Sequence, residues 1–598
     1  MEPKTLCELF FQSVDTFRKP AHLRVKRDGA WRDISSAAFL RSVEELSMGL
    51  RALGVERGDR VAILSENRPE WAYADLATLC AGAIDAPIYA SLTPAQVLYI
   101  LNDSGAKVVF VSNASQAAKV AEVRDRAPEL RHVIAMDPLD APGVLSLAAV
   151  AAEGAKALEE EPGAVRARAA EARPEDVFTL IYTSGTTGDP KGVMLTHDNM
   201  VSNILAGTKV FSDWDSNDVT LSFLPLCHVF ERMGGHYLML HAGATIAYAE
   251  SVEKVPQNMI EVKPTLMFSV PRLYEKIYAR VHERVAADPP TRQRIFHWAI
   301  GVGRESFRHA LEGTKPGLVQ RLKHAAADAL VLSKIRERTG GRLRLFVSGG
   351  APLAREIAEF FGAVGLTVLE GYGLTETSPV ITVNRPERIR PGSVGQPVEG
   401  VEVRIAEDGE ILTRGRHVMK GYYNKPEATA EAIDKEGWFH TGDIGALDGE
   451  GYLTITDRKK DILVTSGGKN IAPQPIENRI KTNAFVAEVV MVGDKRNYPS
   501  ALVVPNFDSL ERWARGKGLP IGSREELVAC PEVKAHFKEV LDSVGADLAQ
   551  FERIKKFALL TKEFTIEAGE LTPTMKVKRR VVEQLYKDVI DRLYQGAA

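Results

Sequence analysis

Residues 177–192 read VFTLIYTSGTTGDPKG, an apolar and β-branched run that continues into small residues, hydroxyl residues and a lysine. The first six residues predict a buried strand that leads directly into a loop. Glycines let backbone N–H groups approach an anion closely, and hydroxyls and a lysine add donors and positive charge. We therefore predict a phosphate-binding loop. Its members are Thr183, Ser184, Gly185, Thr186, Thr187, Gly188 and Lys191.

This segment differs from the common P-loop of kinases and GTPases. That motif has the spacing G-x-x-x-x-G-K-[ST], in which the hydroxyl residue after the lysine holds magnesium. Here Gly185 and Gly188 are three residues apart, and Gly192 follows Lys191. The spacing removes the main support for a P-loop kinase or GTPase.

Short apolar runs alternate with helical stretches through the first two-thirds of the chain. Val61–Leu64 and Leu343–Val347 are typical of strands, and Pro94–Leu101 and Met200–Leu205 of amphipathic helices. This alternation predicts parallel sheets covered by helices. Over about 381–456, short strand-like runs interrupted by Gly, Asp and Pro predict a small antiparallel sheet or β-barrel.

A charged segment, Asp457–Asp461, separates this section from a C-terminal part that again mixes strands and helices. That part is long enough to form a domain of its own. We predict an α/β fold in which residues 1–459 form a large N-terminal body of helix-covered sheets with the small β-barrel. Residues 460–598 would form a smaller, mobile α+β domain that acts as a lid.

Composition narrows the class of protein. The 598 residues carry a formal net charge of −3, which gives no reason to expect nucleic acid as a partner. Cys7, Cys80, Cys227 and Cys530 lie far apart without a C-x-x-C pair, which argues against a zinc site or a disulfide framework. We see no signal peptide and no run of ~18 apolar residues, so we expect a cytoplasmic protein, at most peripheral to a membrane.

Residues 288–342 form a helix-rich stretch with eleven Lys and Arg residues against five Asp and Glu residues. One interpretation is a solvated helical insertion. The other is an electrostatic contact with anionic lipid, in which basic residues near the membrane surface contribute about 1 kcal/mol each. The sequence leaves both open.

Beyond the phosphate loop, five segments in order resemble motifs of the adenylate-forming enzymes, the superfamily of acyl-CoA synthetases, luciferases and peptide-synthetase adenylation domains. With the loop they lie within about residues 60–580. The segments are Leu224–Arg232 (LPLCHVFER), Val347–Pro352 (VSGGAP), Glu370–Thr377 (EGYGLTET), Trp438–Asp443 (WFHTGD) and Asp457–Arg458.

This resemblance assigns a nucleotide site. It implies that Asp443 accepts hydrogen bonds from both ribose hydroxyls with Arg458 as its partner, and that Tyr372 stacks on adenine. Apart from the loop, the residues assigned to ATP are Gly350, Ala351, Pro352, Glu370, Gly371, Tyr372, Gly373, Thr375, Asp443 and Arg458.

The resemblance also implies catalytic roles. Glu376 would bind Mg²⁺, with the Thr183 hydroxyl completing the coordination. Lys576 would steady the substrate carboxylate and the α-phosphate, and Lys191 and Thr375 belong to the same catalytic set. Most relatives have Gly before that lysine, whereas this chain has Met575. Lys578 is therefore an alternative.

A two-step reaction needs a moving domain, and the resemblance places its hinge at Lys460. Rotation would withdraw Lys576 and bring Gly467 and Gly468 towards the pocket, where a bare backbone can lie against a pantetheine arm. His228 would lie between the acyl tunnel and the thiol entrance.

Leu224–Arg232, the helical insertion before Leu343 and the ending PTMKVKRR resemble the long-chain branch of the acyl-CoA synthetases, and this resemblance implies a long-chain fatty acid–CoA ligase that uses ATP, Mg²⁺ and coenzyme A. It would form acyl-AMP from a fatty acid and then acyl-CoA, releasing AMP and pyrophosphate. The alternatives are a fatty acyl-AMP ligase that delivers to a carrier protein, and a lipid-uptake or scaffold protein with a vestigial nucleotide site. Candidates for the acyl tunnel, which ordinary core packing would explain equally well, are Phe230, Met233, Tyr237, Leu238 and Leu240.

Overall fold

The structure is a computed structural model that describes residues 2–183, 189–211, 214–519, 522–566, 568–572 and 576–595. Five residues of the predicted phosphate loop, Ser184, Gly185, Thr186, Thr187 and Gly188, lie outside the described residues.

The first third of the chain alternates strands and helices, as its apolar runs predict. In chain order its elements are α1 (Leu6–Phe17), β1 (Leu23–Arg27), β2 (Ala30–Ile34), α2 (Ser36–Ala52), β3 (Arg60–Leu64), α3 (Pro69–Cys80), β4 (Ile84–Ile88), α4 (Pro94–Ser104), β5 (Ala106–Val111), α5 (Ala114–Val123), a 3-10 helix (Arg124–Arg126), β6 (His132–Ala135), β7 (Val144–Ser146), α6 (Leu147–Glu160), α7 (Ala164–Ala169), β8 (Val177–Thr183), β9 (Lys191–Thr196) and α8 (His197–Val210).

The middle third continues this pattern and includes the helix-rich insertion. Its elements are β10 (Val219–Ser222), a first π-helix (Glu231–Leu238), α9 (Met239–Ala242), β11 (Thr245–Tyr248), α10 (Val255–Val262), β12 (Leu266–Ser269), α11 (Pro271–Ala286), α12 (Pro290–Leu311), α13 (Leu318–Ala327), a second π-helix (Asp328–Leu332), α14 (Ser333–Glu337), β13 (Leu345–Ser348), α15 (Arg355–Val364), β14 (Thr367–Gly373), a 3-10 helix (Thr375–Thr377) and β15 (Val380–Val383).

The last third contains shorter strands and then the C-terminal helices. Its elements are β16 (Gln396–Pro397), β17 (Val401–Ile405), β18 (Glu410–Gly415), β19 (Gly421–Tyr422), α16 (Pro426–Ala432), β20 (Phe439–Leu447), β21 (Leu453–Arg458), β22 (Leu463–Val464), β23 (Asn470–Ile471), α17 (Pro473–Lys481), β24 (Val486–Val492), β25 (Ser500–Pro505), α18 (Phe507–Gly516), α19 (Arg524–Ala529), α20 (Pro531–Gly545), β26 (Lys556–Leu559), α21 (Arg579–Leu585) and α22 (Lys587–Tyr594).

Local sequence sets the ends of these helices, as α4 illustrates. The Thr93 hydroxyl accepts a hydrogen bond from the Gln96 backbone N–H, and the Gln96 side-chain oxygen accepts one from the Thr93 backbone N–H, forming a capping box. Pro94 occupies the first position, where a backbone N–H would have no helical partner. Gly105 ends the helix in the left-handed conformation, with φ of 63°.

Two large sheets form the N-terminal body. One has the strand order β19-β9-β8-β4-β3-β5-β6-β7, and the other β16-β15-β14-β13-β12-β10-β11-β1-β2. Their central strands pair in parallel, whereas β8 and β9 form an antiparallel pair. In such sheets, ligands bind in the crevice beyond the carboxyl ends of the strands. β8, β13 and β14 all end beside one cleft.

The predicted β-barrel over 381–456 differs from the observed arrangement. β17, β18, β20 and β21, over residues 401–458, form an antiparallel sheet in open order, and its first and last strands do not pair. β15 and β16 instead extend the second large sheet. The frequent Gly, Asp and Pro residues indicated short antiparallel strands, but such turn-forming residues do not specify which sheet each strand joins.

The C-terminal residues form a separate hydrophobic core. β24, β25 and β26 make a three-stranded sheet with apolar clusters on both faces. α17, α18 and α20 contribute to one cluster, and α21 and α22 to the other. The sheet and the helices on its two faces thus form a layered unit around these clusters.

A buried ion cluster anchors the strand that leads into the predicted phosphate loop. Arg232, fully buried in the first π-helix, donates hydrogen bonds to Asp75 Oδ1 at 2.5 Å and Asp85 Oδ1 at 3.0 Å. It also donates to Thr179 Oγ1 on β8 at 2.8 Å. Burial raises the pKa of Asp85, against the opposing charge of Arg232. Removing one partner of a buried ion pair costs about 3–5 kcal/mol, so the cluster fixes α3, β4, β8 and the π-helix together.

Candidate active site

A cleft of about 2950 Å³ separates the N-terminal body from the C-terminal residues and brings most of the predicted site together. Each of these residues has part of its surface on the cleft wall. They are Thr183, Lys191, His228, Gly350, Ala351, Pro352, Glu370, Gly371, Tyr372, Gly373, Thr375, Glu376, Asp443, Arg458, Lys460 and Lys576.

Lys191 and Glu376 both contact the side chain of Tyr422. β9 pairs with β19, which sets Tyr422 beside the strand that begins at Lys191. Lys191 Nζ is 4.8 Å from the centroid of the Tyr422 ring, a favourable cation–π distance. The Tyr422 hydroxyl donates a hydrogen bond of 2.9 Å to Glu376 Oε1. Burial and the neighbouring Glu376 carboxylate raise the pKa of Tyr422, so the hydroxyl stays protonated and acts as a donor.

Tyr422 is thus a residue that sequence reasoning missed, and its hydroxyl can be tested directly. We expect Tyr422→Phe to raise the KM for ATP about three- to tenfold, because a hydrogen bond to a charged group is lost beside partly exposed Glu376. The ring beneath Lys191 remains. Steady-state kinetics with varied ATP measures this, with Tyr423→Phe as the matched control. An unchanged KM for ATP and an unchanged kcat would contradict a role for the hydroxyl.

Asp443 and Arg458 are brought together by strand register. They are directly opposite each other in the antiparallel pair β20–β21, and Arg458 Nε lies 3.4 Å from Asp443 Oδ1. The Tyr372 hydroxyl donates to Asp443 Oδ2 at 2.6 Å. Burial raises the pKa of Asp443, while the positive charge of Arg458 and the Tyr372 hydrogen bond act in the opposite direction. The result is an oriented carboxylate with an aromatic ring beside it.

Lys576 projects into the same cleft from the C-terminal residues. Its side chain is exposed to the cleft, yet partial withdrawal from water and the nearby Arg458 guanidinium lower its pKa to about 8, against the attraction of Asp443. Burial, together with the charge of Lys576, lowers the pKa of His228 to about 3. His228 Nδ1 accepts a hydrogen bond from the Phe230 backbone at 3.2 Å, so the neutral ring carries its proton on Nε2.

Glu370 lies on the cleft wall and interacts with two neighbouring segments of the backbone. Burial raises the pKa of its carboxyl group to about 7, while hydrogen bonds from the backbone of Leu353 and Gly392 act to lower it. The bond from Leu353 connects β14 to the loop after β13, which carries Gly350, and the bond from Gly392 connects it to the segment between β15 and β16. Glu370 therefore positions the loop, and its carboxyl group is nearly buried.

The chain matches known families along most of its length. The AMP-binding enzyme family matches residues 12–423, and the AMP-binding enzyme C-terminal domain matches residues 460–598. The chain belongs to the AMP-binding enzyme family.

Individual relatives agree with this. Long-chain-fatty-acid–CoA ligase FadD15 of Mycobacterium bovis is 38% identical over 570 residues, covering 95% of this chain and 93% of the relative. Long-chain-fatty-acid–CoA ligase ACSBG2 of Xenopus laevis is 32% identical over 630 residues, covering 100% of this chain and 84% of the relative. The crystal structure of the anthranilate CoA ligase AuaEII in complex with anthranoyl-AMP has a TM-score of 0.75 at 22% identity, covering 98% of each chain. This likeness confirms the predicted α/β fold with a large N-terminal and a smaller C-terminal domain.

Two predicted residues of this AMP-binding enzyme lie away from the cleft wall. Gly467 and Gly468 are in the turn between β22 and β23, where Gly468 has a φ of 75°. The Thr465 backbone N–H donates a hydrogen bond to the Lys469 carbonyl, and the Thr465 hydroxyl accepts one from the Lys469 backbone N–H, which closes the turn. Lys460 lies in the preceding turn, directly after β21. In this arrangement Lys576 is in the cleft and the glycine pair is outside it.

The candidates for the acyl tunnel divide into two groups. Phe230, Met233 and Leu238 line the cleft, whereas Tyr237 and Leu240 are fully buried core residues. Tyr237 was a wrong candidate because its hydroxyl donates to Asp75 in the buried ion cluster. The cleft also extends along α11, a helix that was not among the candidates.

Proposed function

We propose that the protein activates a long-chain fatty acid with ATP to form acyl-AMP, and transfers the acyl group to coenzyme A with release of AMP and pyrophosphate. The observation that carries this proposal is the convergence of Lys191, Glu376, Asp443 and Lys576 on one cleft whose wall also carries apolar side chains. Relatives named as long-chain-fatty-acid–CoA ligases support the same activity.

The first step brings two anions together. A fatty carboxylate attacks the α-phosphate of ATP, and like charges at contact distance repel strongly where water is excluded. The ammonium groups of Lys191 and Lys576 supply positive charge from opposite domains, and Arg458 adds a third charge near the ribose site. Such groups lower the barrier because they are in place before charge develops in the transition state. Asp443 orients the nucleotide through its ribose, and Tyr372 lies beside adenine.

We infer that Glu376 holds Mg²⁺ with ATP. Within the described part of the chain, no group of three or more His, Cys, Asp or Glu side chains is arranged to hold a metal ion. Magnesium binds through one or two carboxylates and substrate phosphates while keeping several waters, so one carboxylate beside the nucleotide can serve. Glu376 is partly exposed on the cleft wall, and the Thr183 hydroxyl would complete the coordination. When bound, the ion neutralises phosphate charge.

The second step requires a thiol to reach the acyl-adenylate. AMP is a good leaving group, so little base assistance is needed. Because the pKa of His228 is lowered to about 3, its ring is neutral and contributes shape and polarity at the cleft wall. We propose that His228 lies between acyl chain and thiol. Rotation about Lys460 would remove Lys576 and bring Gly467 and Gly468 to the pantetheine arm.

One assay separates this proposal from its alternatives. The protein is mixed with ATP, Mg²⁺, palmitate and coenzyme A, and acyl-CoA and pyrophosphate are measured. Both products support the ligase. Pyrophosphate and acyl-AMP without thioester would favour delivery to a carrier protein. Failure to release pyrophosphate with any fatty acid would favour a lipid-uptake or scaffold protein.

We further propose peripheral contact with an anionic membrane through residues 288–342. None of the described helices has the length and apolar character needed to cross a membrane. On α13, however, Leu318, Val319 and Leu322 are 71%, 66% and 63% exposed. Arg321 and Lys323 are also exposed on this helix. An apolar face flanked by basic side chains is typical of interfacial helices.

This contact predicts lipid-dependent binding. We expect the double substitution Leu318→Gln and Leu322→Gln to abolish flotation with vesicles of phosphatidylglycerol, because the insertable face is lost while the positive charge is retained. Leu585→Gln is the matched control, since Leu585 is a leucine of similar exposure, 57%, in the C-terminal domain. Equal flotation of both variants, or no flotation of the unaltered protein, would contradict the contact.

A further inference from the structure

The segment that carries Asp443 forms a bulge in strand β20. The register of its pairing with β18 shifts here, and residues 441–443 lie between two paired positions that only Ile411 separates on β18. Gly442, in the middle of the bulge, has a φ of 71°, in the left-handed region that glycine adopts without steric cost. Bulges re-aim side chains and are frequent beside active sites. This bulge therefore sets the direction of the Asp443 carboxylate.

The side chain of Glu410, on β18, holds the middle of this bulge. Its Oε1 accepts a hydrogen bond of 2.9 Å from the Gly442 backbone N–H. Its Oε2 accepts one of 3.1 Å from Lys459 Nζ and lies 3.4 Å from Nδ1 of His440. Glu410 is only 7% exposed, and burying a carboxylate is costly unless polar or charged partners satisfy it. Both oxygens accept hydrogen bonds within the protein, and the link from Glu410 to the nucleotide site runs through the Gly442 backbone.

Further hydrogen bonds fasten the bulge to both neighbouring strands. The Thr441 hydroxyl donates to the backbone of β18 at 2.7 Å and accepts a hydrogen bond of 3.1 Å from the Asp443 backbone N–H. The Gly442 carbonyl accepts one of 2.9 Å from the backbone N–H of Lys459, which directly follows β21. Lys459 thus bonds Gly442 through its backbone and Glu410 through its side chain. A closed ring of contacts through Glu410, Gly442 and Lys459 fixes the bulge between β18 and the end of β21.

We propose that Glu410 is a positioning residue for the ribose site, because it holds Gly442 and thereby aims the Asp443 carboxylate at the two ribose hydroxyls. This inference rests on the proposed function and adds a residue that lies outside its nucleotide motifs. Hydrogen bonds weaken steeply when their geometry is lost, and those to a carboxylate are among the strong ones. A displaced Asp443 therefore lowers the affinity for ATP, but not for a nucleotide that lacks these hydroxyls.

A nucleotide without ribose hydroxyls separates this role from a general structural one. The readout is kcat/KM for pyrophosphate release with palmitate and coenzyme A, with either ATP or 2′,3′-dideoxy-ATP as the nucleotide. The unaltered protein should prefer ATP about tenfold or more, since one hydrogen bond to a charged group contributes about that factor. Glu410→Met keeps the length of the side chain but removes the carboxylate. In this variant we expect the preference for ATP to fall about three- to tenfold, towards that of Asp443→Ala, because only ATP loses hydrogen bonds.

Asp408→Asn is the matched control, because Asp408 accepts a hydrogen bond from the same Lys459 ammonium group at 2.6 Å but lies outside the bulge. It should keep the unaltered preference for ATP. A Glu410→Met variant with the same preference as Asp408→Asn would overturn the proposal, even if its kcat/KM were lowered equally with both nucleotides. If Glu410→Met does not fold, the same ratio decides in Glu410→Asp, which keeps the charge but sets it one methylene further from Gly442.

The unaltered protein provides the remaining comparison. If it showed no preference for ATP over 2′,3′-dideoxy-ATP, the assignment of Asp443 to ribose would be wrong, and the role of Glu410 would be overturned with it. Absence of pyrophosphate release with ATP and every fatty acid would contradict the proposed function instead.

Discussion

Replacing Lys576 with alanine is expected to abolish formation of the acyl-adenylate while sparing thioester formation from a supplied acyl-adenylate. Lys576 reaches the cleft near Asp443 and Arg458, where the α-phosphate and carboxylate would meet. Removing one preorganised donor from a site of developing charge costs about 10²–10³-fold in rate. Pyrophosphate exchange into ATP measures the first half-reaction, and coenzyme A acylation by purified acyl-AMP measures the second.

Lys578→Ala is the control. It decides whether Lys576 or Lys578 is the catalytic lysine, the question raised by Met575 at the position where most relatives have Gly. Lys578 also borders the cleft, but its backbone N–H is bonded to Glu570 and it directly precedes α21. We expect near-normal adenylation in this variant. Equal loss of both half-reactions in Lys576→Ala would remove the assignment, because it would indicate a general disturbance of the cleft. Loss of adenylation in Lys578→Ala alone would transfer the role to Lys578.

The sequence predicted the secondary structure correctly where the local residue pattern favours the same element that the tertiary structure requires. Val177–Tyr182 predicted a strand, and β8 spans Val177–Thr183, because β-branched and aromatic residues suit a buried strand. The alternation of strands and helices likewise predicted the parallel sheets. The barrel prediction over 381–456 was wrong in its closure and extent. Strand pairing depends on contacts between distant segments, which turn-forming residues do not specify.

Sequence motifs predicted only those site residues that lie within the motifs themselves. Asp443 and Arg458 lie in separate segments, and the pairing of β20 with β21 brings them to 3.4 Å. Tyr422 gave no such signal, because its role arises from an antiparallel pair with a strand more than two hundred residues earlier.

The hinge assignment is the remaining prediction with a large expected effect, and the contacts on either side of Lys460 delimit the stretch that would act as the pivot. Lys459 Nζ bonds Asp408 at 2.6 Å and Glu410 at 3.1 Å, which ties it to the antiparallel sheet of the N-terminal body. Four residues later, Leu463 already belongs to the C-terminal hydrophobic core. A rotation between the two bodies would then be taken up over about residues 460–462, and Lys460 is the first residue of that stretch.

Lys460→Pro is accordingly expected to form acyl-AMP normally but to lower overall turnover about 10²-fold, the effect of holding a reacting group out of position. Proline fixes φ near −65° and restricts the preceding residue, so the backbone change that a hinge must absorb is blocked. Rapid-quench measurement would show a burst of acyl-AMP followed by slow thioester formation. Lys460→Ala, which keeps the backbone free, should retain turnover. Full turnover in Lys460→Pro would exclude this residue as the pivot, and loss of the burst would mean that the substitution disturbs the adenylation arrangement itself.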